Sequence, residues 1–282
     1  MDFVDKTVLI TGSATGIGRS LALALAREGA DLALVDVDTE NALETAEAVR
    51  AEGRRAEVYQ ADVTEHGSVE KAMGAAWNEF GPIDLACANA GVCPIAQLTD
   101  MDAQDLEWVM SVNLFGVLHT VRAYVERARA AKSGGHLMLT GSENSVSLPH
   151  ALRRIGLGAY CMTKHAVLAM AETLRYELEP DGIGVSLLMP GPVDTPLGLA
   201  GAKRPVRMGG PVEPRAFDTS LLDANIPMPP TISADAAARI AVAGLREGRF
   251  MIPTHSHLLD YASARLDELA AANRASNFEP NT

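Results

Sequence analysis

The chain has 282 residues, 48% hydrophobic and 21% charged, which suits one large α/β domain with a substantial core. A formal charge of -12 and a pI near 5.0 argue against nucleic acid or an anionic membrane surface as partner. Cys87, Cys93 and Cys161 form no Cys-x-x-Cys pair and no disulfide framework, so they read as reduced thiols in a cytoplasmic protein. The longest apolar run near the N-terminus, 21–26, is too short to span a bilayer.

In chain order, expected strands at 6–11, 31–36, 56–61, 83–88, 136–141 and 184–189 alternate with expected helices at 16–28, 39–51, 67–80, 103–131 and 159–178. Most of the strands are apolar throughout, as parallel strands covered on both faces should be. Such alternation implies right-handed crossovers and a Rossmann-type doubly wound parallel sheet of about seven strands, order 3-2-1-4-5-6-7, with helices on both faces. No linker divides the first 190 residues, so 1–282 reads as a single domain. After Pro190 the texture changes. Residues 191–230 hold many of the prolines and glycines and read as a substrate-binding loop or lid within that domain. A helix at 233–247, a strand at 250–252 and a helix at 257–272 are expected to follow.

The first strand runs into Thr11-Gly12-Ser-Ala-Thr15-Gly16-Ile17-Gly18 and then into a helix. A strand, a glycine turn and a helix start present backbone N–H groups and a positive helix end to a pyrophosphate. Glycine is needed where a Cβ would block close backbone approach. Asp36 ends the second strand, where a carboxylate can accept both hydrogen bonds from an adenosine ribose and would repel a 2′-phosphate. Neither Thr15 nor Val37 supplies a counter-charge, so NAD is the expected cofactor; Asp36 could instead simply cap the next helix.

Tyr160-Cys-Met-Thr-Lys164 places a phenol and an ammonium on one helix face. A phenol with a pKa of about 10 is a poor base at neutral pH, and a cation beside it favours the phenolate. Oxidising an alcohol removes a hydride and a proton, so a base must lie within hydrogen-bond reach of the hydroxyl.

The glycine turn, Ser142 and the Tyr-x-x-x-Lys spacing together resemble the short-chain dehydrogenase/reductase family over nearly the whole chain. The resemblance implies an adenine contact at Asp62 and Val63. Asn89-Ala90-Gly91 would line the cofactor, with Ala88 replacing the first Asn of the family's Asn-Asn-Ala-Gly motif. Pro190-Gly191-Pro-Val193-Asp-Thr195 would grip the nicotinamide carboxamide. Ser142 would orient the substrate oxygen, Gly141 replaces the first Ser of the usual pair, and Ser145 is the competitor. Tyr160 would be the general acid/base. Lys164 would lower its pKa and bond the nicotinamide ribose, and Asn113 would bend its helix and hold a relay water. Family members that use NADP usually carry a basic residue near the ribose, and enoyl reductases space Tyr and Lys further apart. Members are usually dimers or tetramers, so a homodimer or homotetramer through 103–131 and 159–178 is expected.

The stretch between Ser142 and Tyr160 is longer than is common in the family, so Glu143, Leu148 and His150 are expected near the substrate cleft and Arg153 and Arg154 on a solvated loop. No histidine spacing reads as a metal site, and His255 and His257 read as a polar loop. Leu197, Leu199, Met208, Phe217, Leu221, Leu222, Ile226 and Met228 suggest a lid over a roomy hydrophobic pocket, or else packing against the sheet. Lys203, Arg204, Arg207 and Arg215 read as a solvated lid face rather than ligands of an anionic substrate. The resulting expectation is an NAD-dependent enzyme interconverting a small-molecule secondary alcohol and ketone, the substrate bulky and hydrophobic. The alternatives are a β-hydroxyacyl-type or other anionic substrate, or a non-catalytic dinucleotide sensor.

Overall fold

Apolar residues on successive strand positions face opposite ways, and here both faces find helices to bury them. In the computed structural model, which describes residues 1–148, 153–213, 219–222, 226 and 228–275, the first strand β1 (Thr7–Thr11) is buried along its whole length. Val8 and Ile10 enter one core cluster while Leu9, between them, enters the other. Burying an aliphatic side chain of this kind is worth about 1.5–3 kcal/mol.

The chain continues through α1 (Gly16–Arg27), β2 (Asp31–Asp36), α2 (Thr39–Ala51), β3 (Ala56–Gln60), α3 (His66–Phe80) and β4 (Leu85–Ala88). Then follow α4 (Ala103–Met110), a π turn (Ser111–Phe115), α5 (Gly116–Ala131), β5 (Gly135–Thr140), α6 (Gly158–Glu177) and β6 (Ile183–Met189). The last elements are β7 (Val193–Asp194), β8 (Ile232–Ser233), α7 (Ala234–Arg246), β9 (Met251–Pro253) and α8 (Leu258–Ala275). Seven parallel strands lie in the order β3-β2-β1-β4-β5-β6-β9. This is the expected doubly wound sheet. Its seventh strand is β9 in chain order because the region after β6 forms a separate two-stranded pair, β7 with β8.

One expected helix is interrupted. The run 103–131 breaks at the π turn, where Asn113 is fully buried. Asn113 Oδ1 accepts from Val92 N–H (2.8 Å), and its Nδ2 donates to Val92 C=O (2.9 Å) and Thr163 Oγ1 (3.2 Å). Three bonds to a neighbouring strand-end loop and helix draw this residue inward and make up for the disturbed helical pairing. Among the described residues, no helix is long and apolar enough to cross a membrane.

Candidate active site

The ends of β1, β4 and β5 are joined by side chains to backbone. Thr11 Oγ1 accepts from Asn89 N–H (3.0 Å) and Ala90 N–H (3.2 Å). Asn89 Nδ2 donates to the carbonyls of Thr11 (3.1 Å) and Gly12 (3.2 Å), and Thr140 Oγ1 donates to Asn89 Oδ1 (3.2 Å). Ala88, which stands where the family motif has its first Asn, is buried. The turn from β1 into α1 passes so close that a Cβ on Gly12 would stand 2.7 Å from the Ala90 Cα, and one on Gly18 would overlap the Gly12 carbonyl. Thr15 caps α1 with its backbone extended and its side chain not bonded to the helix. Gly16 and Ile17 begin α1, and a Cβ on Gly16 would lie 3.2 Å from the Thr195 methyl, so the glycine turn faces the 190–195 segment. Close backbone packing thus fixes this turn at the start of α1, and side chains on Gly12 or Gly18 would collide with neighbouring backbone.

Asp36 closes β2 with Oδ2 accepting from Ala14 N–H and Oδ1 from Asp38 N–H, each at 2.9 Å. The cap of α2 is Asp38, not Asp36. Burial raises the Asp36 carboxyl above its ordinary value, against the pull of those two N–H donors. Val37 is exposed beside it. Asp62 Oδ1 accepts from Thr64 N–H (2.9 Å) and Thr64 Oγ1 (2.7 Å). Burial works against the Asp62 charge, yet Thr64 and the Arg207 guanidinium hold the carboxyl below its usual range. Val63 packs against Gly116.

At the other side of the crevice, Lys164 Nζ lies 5.5 Å from the centroid of the Tyr160 ring and donates to Thr140 C=O (2.8 Å). A Cβ on Gly91 would be 3.6 Å from Asn113 Oδ1 and 3.8 Å from Lys164 Nζ, so these residues converge on one spot. Lys164 is only 3% exposed, and burial lowers its ammonium pKa to about 8. Burial likewise pushes the Tyr160 phenol well above its ordinary value. Cys93, Cys161 and Glu143 add to that rise, and a hydrogen bond with Ser142 opposes it. Desolvation of the phenolate is the largest cause of that rise. Both nearby thiols, Cys93 and Cys161, are raised to about 12 by burial and stay protonated.

Ser142 caps a short 3₁₀ turn, Glu143–Ser145, its Oγ accepting from Asn144 N–H (3.1 Å) and facing Pro190 C=O at 3.5 Å. Ser145 Oγ accepts from Ser142 N–H (3.1 Å) and so fixes the turn. Glu143 does not line an open cleft. It is buried, and His257 Nε2 meets its carboxylate at 2.5 Å. His255 and His257 therefore belong to a half-buried network rather than a polar loop. His255 bonds Thr254 Oγ1 (2.7 Å) and Pro230 C=O (2.9 Å), and Thr254 Oγ1 accepts from Gly191 N–H (3.0 Å). The His-x-His ahead of an amphipathic helix was the only sequence signal for this network. Leu148, Arg153 and Arg154 are exposed; His150 lies outside the described residues.

After Thr195 the chain folds as 3₁₀ turns, Pro196–Lys203 and Val206–Met208. Lys203 and Arg207 are exposed, as expected, and form surface ion pairs, whereas Arg204 is buried. Lys203 pairs with Asp38 (3.0 Å), and Arg207 with Asp62 (3.0 Å) and Glu65 (2.9 Å). Arg204 is buried against Asp105 of α4 and donates to Gly210 C=O (2.7 Å). Of the apolar residues, Met208 is buried, Leu199, Leu221 and Met228 are exposed, and Phe217, with Arg215, lies outside the described residues. A hollow beside this segment is bordered by Cys93, Ile95, Trp108, Leu197 and Val212. Among the described residues, no group of three or more His, Cys, Asp or Glu could hold a metal ion.

Comparison with known proteins agrees with this arrangement. The family profile described as short chain dehydrogenase matches residues 6–203. The probable oxidoreductase EphD of Mycobacterium tuberculosis is 35% identical over 193 residues, which are 68% of this chain but 32% of that protein, so the chain spans about a third of its length. The 1-deoxy-11-beta-hydroxypentalenate dehydrogenase of Streptomyces exfoliatus is 33% identical over 222 residues, 78% of each chain. A short-chain dehydrogenase/reductase from Burkholderia phymatum, solved in complex with NAD, superposes with a TM-score of 0.84 at 29% identity over 96% of each chain. The strand order, the glycine turn and these matches lead to one conclusion: the chain belongs to the short-chain dehydrogenase/reductase family of oxidoreductases.

Proposed function

We propose that this chain is an NAD-dependent dehydrogenase that interconverts a secondary alcohol and a ketone on a bulky hydrophobic substrate, with Tyr160 as general acid/base. The observation that carries the reading is the convergence of Ser142, Tyr160, Lys164 and Asn113 at the strand ends beside Gly91 and Pro190. When bound, a nicotinamide dinucleotide supplies the hydride acceptor or donor. Gly12, Thr15, Gly16, Ile17 and Gly18 would hold its pyrophosphate; Asp36, Val37, Asp62 and Val63 its adenosine; Asn89, Ala90, Gly91, Pro190, Gly191, Val193 and Thr195 the nicotinamide half. Tyr160 and Lys164 border that half as well.

In this reading the Ser142 hydroxyl bonds the substrate oxygen, and Tyr160 Oη takes the alcohol's proton during oxidation and returns it during reduction. Lys164, held by Thr140, stabilises the phenolate that results. A cation within about 4–6 Å favours the charged form of such a group, which offsets the burial that raises the phenol. Asn113 fixes the loop carrying Gly91 through Val92.

Two observations support NAD over NADP. The Asp36 carboxylate is fixed by two backbone donors and would face a 2′-phosphate with like charge. Lys203, the basic side chain that reaches this end, is already engaged by Asp38. The pentalenate relative supports a hydroxyl-bearing substrate. In this reading the segment after Thr195, which borders the hollow beside Cys93, acts as a lid over the substrate. Assembly as a homodimer or homotetramer belongs to the same proposal, as does a cytoplasmic location. Phe115, Met162 and Tyr176 offer exposed apolar surface around α5 and α6 for such contacts.

The test is an NADH-absorbance screen with NAD and NADP against small aliphatic, aryl, steroid and β-hydroxyacyl alcohols. Turnover of a bulky alcohol with NAD is expected. Silence across the panel alongside tight NADH binding would replace this reading with the dinucleotide sensor. Asp36→Ala should raise NADP use relative to NAD, and an unchanged ratio would remove Asp36 from the ribose site.

A further inference from the structure

Thr15 and Val37 offer no charge to a ribose 2′-phosphate, yet the fold brings a cation to that end from far along the chain. The segment after Thr195 starts beside the glycine turn, where a Cβ on Gly16 would lie 3.2 Å from the Thr195 methyl. Its 3₁₀ turns then carry it to the ends of β2 and β3. Arg207 lands beyond β3 on Asp62 (3.0 Å) and Glu65 (2.9 Å). Lys203 Nζ lands beyond β2 on Asp38 Oδ2, at 3.0 Å. The Asp38 N–H in turn donates to Asp36 Oδ1 (2.9 Å). The segment thus delivers an ammonium to a residue bonded directly to the carboxylate assigned above to the ribose.

Asp38 is placed to keep that ammonium. Its side chain is 12% exposed, whereas that of Lys203 is 56% exposed. Asn41 Nδ2 donates to the same Oδ2 at 2.7 Å and fixes the carboxylate from the other side. Burial works against the charge, but Asn41 and Lys203 hold the carboxyl below its usual range, so it is ionised at neutral pH. An ammonium in contact with a carboxylate presents little net charge to a third group. Released, it is a compact charge on a flexible four-carbon stem, well suited to a phosphate.

We propose that Asp38 is a specificity-determining residue: by engaging Lys203 it withholds a cation from the ribose 2′ position, so the preference for NAD is set by the Asp38–Lys203 pair as well as by Asp36. The proposal rests on the placement of the adenosine ribose at Asp36 in the reading above. It gives the segment after Thr195 a role at the adenosine end of the crevice, distinct from covering the substrate.

The test needs no substrate. Dissociation constants of NADH and NADPH are measured by fluorescence titration of the full chain, and their ratio cancels whatever the segment does to both nucleotides alike. Asp38→Asn, which keeps the shape and removes the charge, should improve NADPH binding relative to NADH by about tenfold. Adding Lys203→Met should return most of that gain, and raising the salt should shrink it. An unmoved ratio in Asp38→Asn overturns the proposal. So does a gain that survives Lys203→Met, since Asp38 would then act by its own repulsion alone. Should Asp38→Asn bind neither nucleotide, Asp38→Ser takes its place with the same two outcomes. Asp36→Ala is the control on the ribose site. A ratio that moves there and not in Asp38→Asn refutes this proposal alone; a ratio that moves in neither refutes the ribose placement on which it rests.

Discussion

The strand ends around the glycine turn and the segment after Thr195 border the same crevice but are fixed in different ways. Around the turn, backbone meets backbone: Gly12 lies against Ala90, Gly18 against Gly12, and Asn89 and Thr11 fill the remaining hydrogen bonds. The segment after Thr195 is tied down by long cationic side chains that land on Asp38, Asp105 and Asp62. Close backbone packing is indifferent to salt and leaves little freedom to move. Ion pairs at a half-exposed surface are screened and exchange readily. The crevice thus pairs one fixed wall with one that charge holds in place.

The largest expected effect belongs to the fixed side. Tyr160→Phe should cut turnover by about 10²–10⁴-fold while NADH affinity by fluorescence titration stays the same. Comparable residual turnover would move proton transfer to another group. Next comes the buried tie of the second wall. Asp105→Leu leaves Arg204 buried without its carboxylate and should cost about 3–5 kcal/mol in urea denaturation, whereas adding Arg204→Met should recover most of that. A double variant as unstable as the single would show that the pair is not what holds the segment.

A pH effect should arise inside the sheet, away from either wall. Burial lowers the pKa of His136 from 6.5 to about 4, and its Nε2 bonds Ser186 Oγ at 2.9 Å. The unfolded chain takes up this proton first, so stability should fall as pH drops from about 6.5 towards about 4, by on the order of 2 kcal/mol, and be level above that window. His136→Asn should flatten the slope in urea midpoints measured against pH. The smallest effects should come from the exposed ties. Lys203→Ala and Arg207→Ala should each change stability by less than about 1 kcal/mol and speed NADH release at low salt, with the difference vanishing at high salt. Equal acceleration at both salts would refute the charge-held wall.

What could be read from the sequence follows the reach of the interactions. Strands, helices, the glycine turn and the Tyr160–Lys164 spacing are set by neighbours within a few residues, and the sheet order follows from how such units connect. The break at Asn113 was legible only through the family resemblance, since Asn113 is drawn inward by Val92, 21 positions earlier. Arg204 read as a lid charge because its partner Asp105 is 99 residues away, and His257 read as loop because Glu143 is 114 away. The burial of the Tyr160 phenol was hidden for a related reason. Spacing reports the cation beside a phenol, but only packing reports how much water the phenol has lost.

The π turn also limits how this chain can change. Each residue of an α-helix turns the next by about 100°. Deleting one residue from Ser111–Phe115 would restore regular helical bonding, yet it would rotate all of α5 by that angle relative to α4. Val117, Val121, Tyr124 and Val125, now buried, would swing off the sheet together. The extra residue is locked in by helical phase: a length change here is tolerable only if another of opposite sign falls before Val117.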